Sequence, residues 1–444
     1  MAERPAPYSH FRLDFEQQRK RAKDLLKAAR AGDADALARF ESLPPKLAEA
    51  QYLVARELRF DDWAHLKRHI AAMARERVAL ETIASSAGAA SARAPAERAT
   101  ALDGHLRTLH VRCGSDIRRA LLEAGFHGDF YEHSYPYLAG PVREGPGALE
   151  QRARFLVEAY GQSREPPLER DQVLDGLRRD EQRLHDSADY DRVVIWSELD
   201  CYDQLVLVRL LGHYARHRRP PRLELINVGT FPGTTRFVGL GQLPPEALRM
   251  LWATRTPASP AQLKLGIDAW RALASADPRP LAALMRTGTP ALPLLAPALH
   301  RHLRELPSVE NGLSFTEAMV LGLLAEREQS LERIFVLLNA VVDPLPGQGD
   351  LEVLRRVLTM EHASGHVFTR RPGVDRAGRA RPPWTDVLAI TELGRAVLEG
   401  HVDFGSLKPP ARWVGGVEVG PGKPDWRWDE RRKDVRLRSR GSVS

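Results

Sequence analysis

A chain of 444 residues with 43% hydrophobic and 28% charged side chains has material for two to four folded domains. No run of about 18 apolar residues occurs, which excludes a membrane-spanning helix, and the N-terminus lacks the apolar core of a signal peptide. Its 2 cysteines exclude a disulfide framework and a four-thiolate zinc site and suit a reducing cytoplasm; the net charge of +7 leans toward anionic partners, although arginine-rich usage also arises without one.

From the N-terminus, "FEQQRKRAKDLLKAARAGDADALARFESL" repeats apolar positions at helical spacing. Gly32-Asp33 interrupts it, Asp33 suits the next N-cap, and Pro44-Pro45 ends that helix. "KLAEAQYLVARELRFDDWAHLKRHIAAMA" adds two more helices, so residues 1–83 are expected to form a helical module for a protein partner or a cap on the next domain. Residues 84–104, with "SSAGAASARAPAERATA" at 85–101, read as a flexible linker.

Strands and helices alternate from 105 to 239. "TLHVRCG" and "DFYEHSYPYLAGPV" start as strands, and "SDIRRALLEAG" between them is a helix that Ser115 or Asp116 can cap. "ALEQRARFLVEAYG" and "LERDQVLDGLRRDEQRLHDSA" are helices. "RVVIWSE" is a buried strand, "CYDQLVLVRLLGHYARH" its following helix, and "PRLELINVG" a fourth strand. The alternation predicts an α/β domain with a mainly parallel, Rossmann-like sheet, in which ligands bind beyond the carboxyl ends of the strands.

Residues 240–311 predict four short helices, with Trp252 and Trp270 as core anchors. Residues 312–430 predict a winged-helix-like domain. Ser314 and Glu317 stand at capping-box spacing, two further helices follow, and "VLAITELGRAVLEG" is a strand, a Thr cap and a helix. Trp413, Trp426 and Trp428 belong to a terminal strand region, packed in its core or stacking bases. Residues 431–444 complete a basic tail.

Several phrases together resemble a known family. "LHVRCGSDI", "HSYPYLAGPV", "VVIWSELDCYDQL", "ELPSVENGLSFTEAMVL" and "RWVGGVEV…WRWDE" are similar to the bacterial family called domain of unknown function 1835, and the C-terminal third to its companion, domain of unknown function 3658. "AKDLLKAARAGDADALARF" and "DDWAHLKRHI" resemble the helical leader of bacterial ankyrin-repeat proteins, without the repeat itself. The family resemblance implies no established reaction. Where relatives carry W-F-E-H-D-S-Y-D-Q, this chain has Ser197, Leu199 and Cys201 but keeps Glu198, Asp200, Tyr202, Asp203 and Gln204.

Four constellations carry chemistry. Glu198, Asp200 and Asp203 lie where a strand meets a helix and suit a hard cation such as Mg²⁺; equally, Asp200 suits an N-cap with Asp203 in the first turn. Gly114, Ser115 and Asp116 offer a turn that can receive an anion, or only a cap, and Gln204 beside the carboxylates is a further ligand-binding candidate. His133, in "EHSYPYLAGPV", suits a general acid–base or a loop hydrogen bond. Arg355, Arg356 and the tail arginines can meet DNA or RNA phosphates. Two functions follow. One is a regulatory protein whose α/β domain binds an anionic, nucleotide-like ligand and whose winged helix meets nucleic acid or a protein. The other is a metal-dependent enzyme acting on a phosphate-containing substrate, with Glu198, Asp200 and Asp203 on the metal and His133 moving protons.

Overall fold

The computed structural model describes residues 13–41, 43–87, 101–161, 166–234, 236–374, 379 and 381–438. The core of the expected linker, 88–100, and the end of the basic tail, 439–444, lie outside the described residues. The protein is a mixed α/β structure whose chain divides into two compact bodies. No helix among the described residues is long and apolar enough to cross a membrane.

The first body comprises the chain up to Glu132, Tyr190–Glu198 and Pro220–Pro257. Its N-terminal helices are Phe15–Arg30, Ala34–Phe40, Leu47–Glu57 and Trp63–Ala87. The Asp14 and Asp33 carboxylates accept from the amides of Gln17 and Ala36, each at 2.7 Å, as N-caps do. These helices share a core built on Leu25, Phe40, Val54, Phe60 and Leu66. The fourth helix is tied to helix Pro245–Trp252 by an ion pair from Arg249 Nε to Glu76, at 2.6 Å.

The sheet of this body has strands β1 (Thr108–Arg112), β2 (Asp129–Glu132), β3 (Arg192–Glu198), β4 (Arg222–Val228) and β5 (Thr256–Pro257), in the order β2-β1-β3-β4-β5. The first four are parallel and β5 is antiparallel. β1 and β3 are buried along their whole length, which is why "RVVIWSE" reads as a continuous rather than an alternating apolar run. The two central strands are tied by a buried polar chain. Trp196 Nε1 donates to His110 Nδ1 at 3.1 Å, and His110 Nε2 lies 2.9 Å from Asp103 Oδ2. The Trp196 N–H fixes the tautomer: His110 carries its proton on Nε2 and donates it to Asp103. Asp103 is buried within this body, inside the span expected as linker. It also accepts from the amides of His127 and Gly128.

The second body comprises His133–Asp189, Leu199–Arg219 and everything from Ala258 onward. Helix Cys201–Arg216 crosses helix Pro260–Ala274 where Gly212 meets Gly266. A Cβ on Gly266 would lie 2.5 Å from the Leu211 Cβ, so only glycine permits this approach. Helices Ala148–Tyr160 and Arg170–Asp186 share a small core of Ala153, Leu174 and Leu177. Helices Arg279–Thr287 and Leu295–Leu303 follow.

The C-terminal part begins with helix Phe315–Glu326, whose Ser314–Glu317 capping box is formed as its spacing predicts. Helices Leu331–Leu337 and Asp350–Glu361 follow, with helix Glu392–Leu398 behind a Thr391 cap. A three-stranded antiparallel sheet joins them: β6 (Gln329–Ser330), β7 (Phe368–Arg371) and β8 (Val387–Ile390), in the order β6-β8-β7. Two hairpins close the body, β9 (Arg412–Val414) with β10 (Val417–Val419), and β11 (Trp426–Asp429) with β12 (Asp434–Leu437). Trp426 and Trp428 are buried, the packed alternative of the two the sequence allowed, and Trp252 and Trp270 are buried as expected.

Candidate functional site

Glu198 and Asp116 both face Arg112 at the carboxyl ends of β1 and β3. Arg112 Nη2 lies 2.9 Å from each carboxylate, and Arg112 Nε donates to Asp116 Oδ1 at 3.0 Å. Glu198 also accepts the Leu240 amide. The loop holding it is glycine-lined by necessity, because a Cβ on Gly239 would stand 2.5 Å from Glu198 Oε1. Glu198 is thus a buried counter-ion in the first body. The expected cap at 115–116 is corrected: helix Arg118–Glu123 follows Ile117 with no side-chain cap, because Asp116 is committed to Arg112. Ser115 is exposed beside it. The helix is six residues long, and the Asp116 carboxylate beside its start is already paired with Arg112.

Asp200 and Asp203 open helix Cys201–Arg216 in the second body. The Asp200 carboxylate accepts the Asp203 amide at 2.8 Å, and Gly347 packs against it, its Cβ position 3.0 Å from Asp200 Oδ1. Asp200 is thus the N-cap of that helix. Gln204 is fully buried one turn in, and Cys201 is buried, with burial pushing its thiol well above the usual range. Arg355 and Arg356 are corrected as phosphate contacts. Arg355 pairs with Glu352, and Arg356 is 2% exposed, with Glu305 and Glu317 facing it.

One concave feature of the second body that carries both rings and cations is a cleft of about 360 Å³. One wall is the loop that sequence singled out at "HSYPYLAGPV", which places Tyr135 and Tyr137 on it, with Arg143 directly after it. The others come from helices Ala148–Tyr160, Arg170–Asp186, Cys201–Arg216 and Pro260–Ala274, supplying Arg152, Glu181, Arg209, Arg216 and Trp270. Four arginines against two glutamates make it cationic. Arg152 is spent on the loop itself, donating to the carbonyls of Ala139 and Pro136, the latter at 2.8 Å. Arg209 is held by Glu181 at 2.5 Å and Arg216 by Glu144 at 2.6 Å, while Arg143 stacks 5.0 Å from the Trp413 ring centre.

His133 sits behind this wall at 1% exposure, with Nε2 3.0 Å from the Tyr137 hydroxyl and its ring edge-on to Tyr135. Burial, then Arg209 and His213, push its pKa down to about 3, and burial lifts Tyr137 to about 12. Both are held toward their neutral forms near pH 7, and His133 makes the loop hydrogen bond that orients Tyr137. The structure therefore joins His133 to a cleft and gives Glu198 a counter-ion. Sequence reasoning missed Tyr137, Arg209, Arg216 and the place of the buried Trp270 on the cleft lining. The tyrosines lay inside a motif already marked, whereas the arginines looked like ordinary helix surface. No family model matches the chain, and no curated protein matches it.

Proposed function

We propose that this protein is a ligand-binding regulatory protein whose cleft takes an anionic, ring-bearing ligand of nucleotide type. One observation carries the reading: Arg143, Arg209 and Arg216 share a cleft of about 360 Å³ with Tyr135, Tyr137 and Trp270. Phosphate attracts guanidinium forks and a base stacks on aromatic faces. The strand order β2-β1-β3-β4 supports a Rossmann-like sheet, and in this reading its switch point between β1 and β3 is filled by the Arg112–Glu198 pair.

The helix and strand order from Phe315 to Ile390 supports a winged-helix-like module. Its third helix, Asp350–Glu361, turns Glu352, Val353, Arg356, Val357 and Met360 inward. That burial favours docking on a protein partner over reading nucleic acid with this helix. The resemblance to the domain of unknown function 1835 family is kept as part of this proposal. The alternative, a metal-dependent enzyme using Glu198, Asp200 and Asp203, carries less: Glu198 answers Arg112, and Asp200 answers a helix amide.

A thermal-shift panel of nucleoside mono-, di- and triphosphates, with adenosine and inorganic phosphate as halves of the ligand, tests the cleft. A bound nucleotide raises the melting temperature by mass action. The rise should fall at high salt and vanish in Arg143→Ala and Arg216→Ala. No shift with any nucleotide, or an equal shift in both variants, would remove the proposal.

A further inference from the structure

We propose that His185, His213 and His217 bind a divalent transition-metal ion of the zinc type at the rim of the second body. The three imidazoles come from two helix ends. His185 lies in the last turn of helix Arg170–Asp186, His213 in the last turn of helix Cys201–Arg216, and His217 caps that helix. His213 and His217 are four residues apart and share a helix face.

One ligand nitrogen from each ring lies within 4.8 Å of those of the other two. The ring centres are 4.7 Å apart in all three pairs. Tetrahedral zinc with Zn–N bonds of about 2.0–2.1 Å needs nitrogens about 3.3 Å apart, so small side-chain rotations close the set. The second observation is His213 itself. It is 1% exposed, and its Nε2 is buried without a hydrogen-bond partner. A buried orphan nitrogen is costly, and a metal or its bound water is one way to satisfy it.

The electrostatics also permit a cation. A metal binds the unprotonated imidazole and competes with protons for its lone pair. The nearby Arg209 and Arg216 are each matched by a glutamate, Glu181 and Glu144. Three nitrogen donors select zinc, copper, nickel or cobalt over Mg²⁺, which wants oxygen. His185 and His217 are exposed, so a fourth position faces solvent, and His213 and His217 also line the cleft.

The test uses the full chain without a histidine tag, stripped with a chelator and free of nucleotide. Zn²⁺ is titrated against a chromophoric chelator, and Co²⁺ binding is read from its visible absorption bands. We expect one tight ion per chain and the intense bands of four-coordinate Co²⁺. His185→Ala and His217→Ala change exposed side chains and should each weaken binding by about 100-fold or more. His213→Gln should do the same, and the two exposed variants decide the matter if it fails to fold. Sub-stoichiometric or absent binding would overturn the proposal, as would unchanged affinity in His185→Ala and His217→Ala. Arg143→Ala should leave the metal in place, so the failure of this site and that of the anion cleft are told apart.

Discussion

Replacing Glu198 separates a structural counter-ion from a metal ligand. Its carboxylate answers the buried Arg112 guanidinium at 2.9 Å and accepts the Leu240 amide. Glu198→Gln keeps an acceptor for that amide and removes the charge. Breaking a buried pair by removing one partner costs about 3–5 kcal/mol. Arg112 keeps Asp116, whose side chain is 38% exposed, so the lower end, about 3 kcal/mol, applies to the glutamine variant. Glu198→Ala also strands the Leu240 N–H, a further loss of about 1–3 kcal/mol. With a urea slope of about 1–3 kcal/mol per molar, the glutamine variant should unfold at least about 1 M earlier. Tryptophan fluorescence follows the transition, and hydrogen exchange at β1 and β3 assigns it to the first body. A carboxylate held ready for a cation behaves in the opposite way, because neutralising it relieves repulsion in the metal-free protein. A glutamine variant with a midpoint at or above the parent's would therefore refute the counter-ion argument.

Three other outcomes follow from the packing. Trp196→Phe removes the donor to His110 Nδ1 and should destabilise the first body by about 1–3 kcal/mol, read from the urea midpoint; no change would mean that the buried chain contributes nothing net. Gly266→Ala should destabilise the second body by about 1–3 kcal/mol despite better helix propensity, because its methyl meets Leu211, and a raised melting temperature would contradict that crossing. His302 is buried with neither ring nitrogen hydrogen-bonded, and burial lowers its pKa to about 4. Between about 6.5 and 4 the unfolded chain takes up a proton that the folded chain refuses. Its stability contribution is therefore complete above about 6.5 and is lost as pH falls toward 4, at up to about 1.4 kcal/mol per pH unit. His302→Leu should flatten the fall of the urea midpoint in that window, and an unchanged slope would show that His302 titrates freely.

Local signals in the chain were enough for several elements, though not for the short strands β5, β6 and β7. The β-branched run of "RVVIWSE" is a central strand, Asp33 and Asp200 cap the helices that follow them, and Ser314 with Glu317 closes a capping box. Each depends on neighbours within a few residues, so spacing alone carries it. The partners of charged side chains were decided by tertiary structure. Asp116 turns from its expected cap to Arg112, and Arg356 faces Glu305 and Glu317 inside the body instead of a phosphate outside it. The meeting of His185 with His213 and His217 depends on how two separate helices end side by side, and the cleft needs a loop and four helices at once. Periodicity tells which face of a helix is buried, but only long-range packing sets which charge, ring or lone pair stands opposite it.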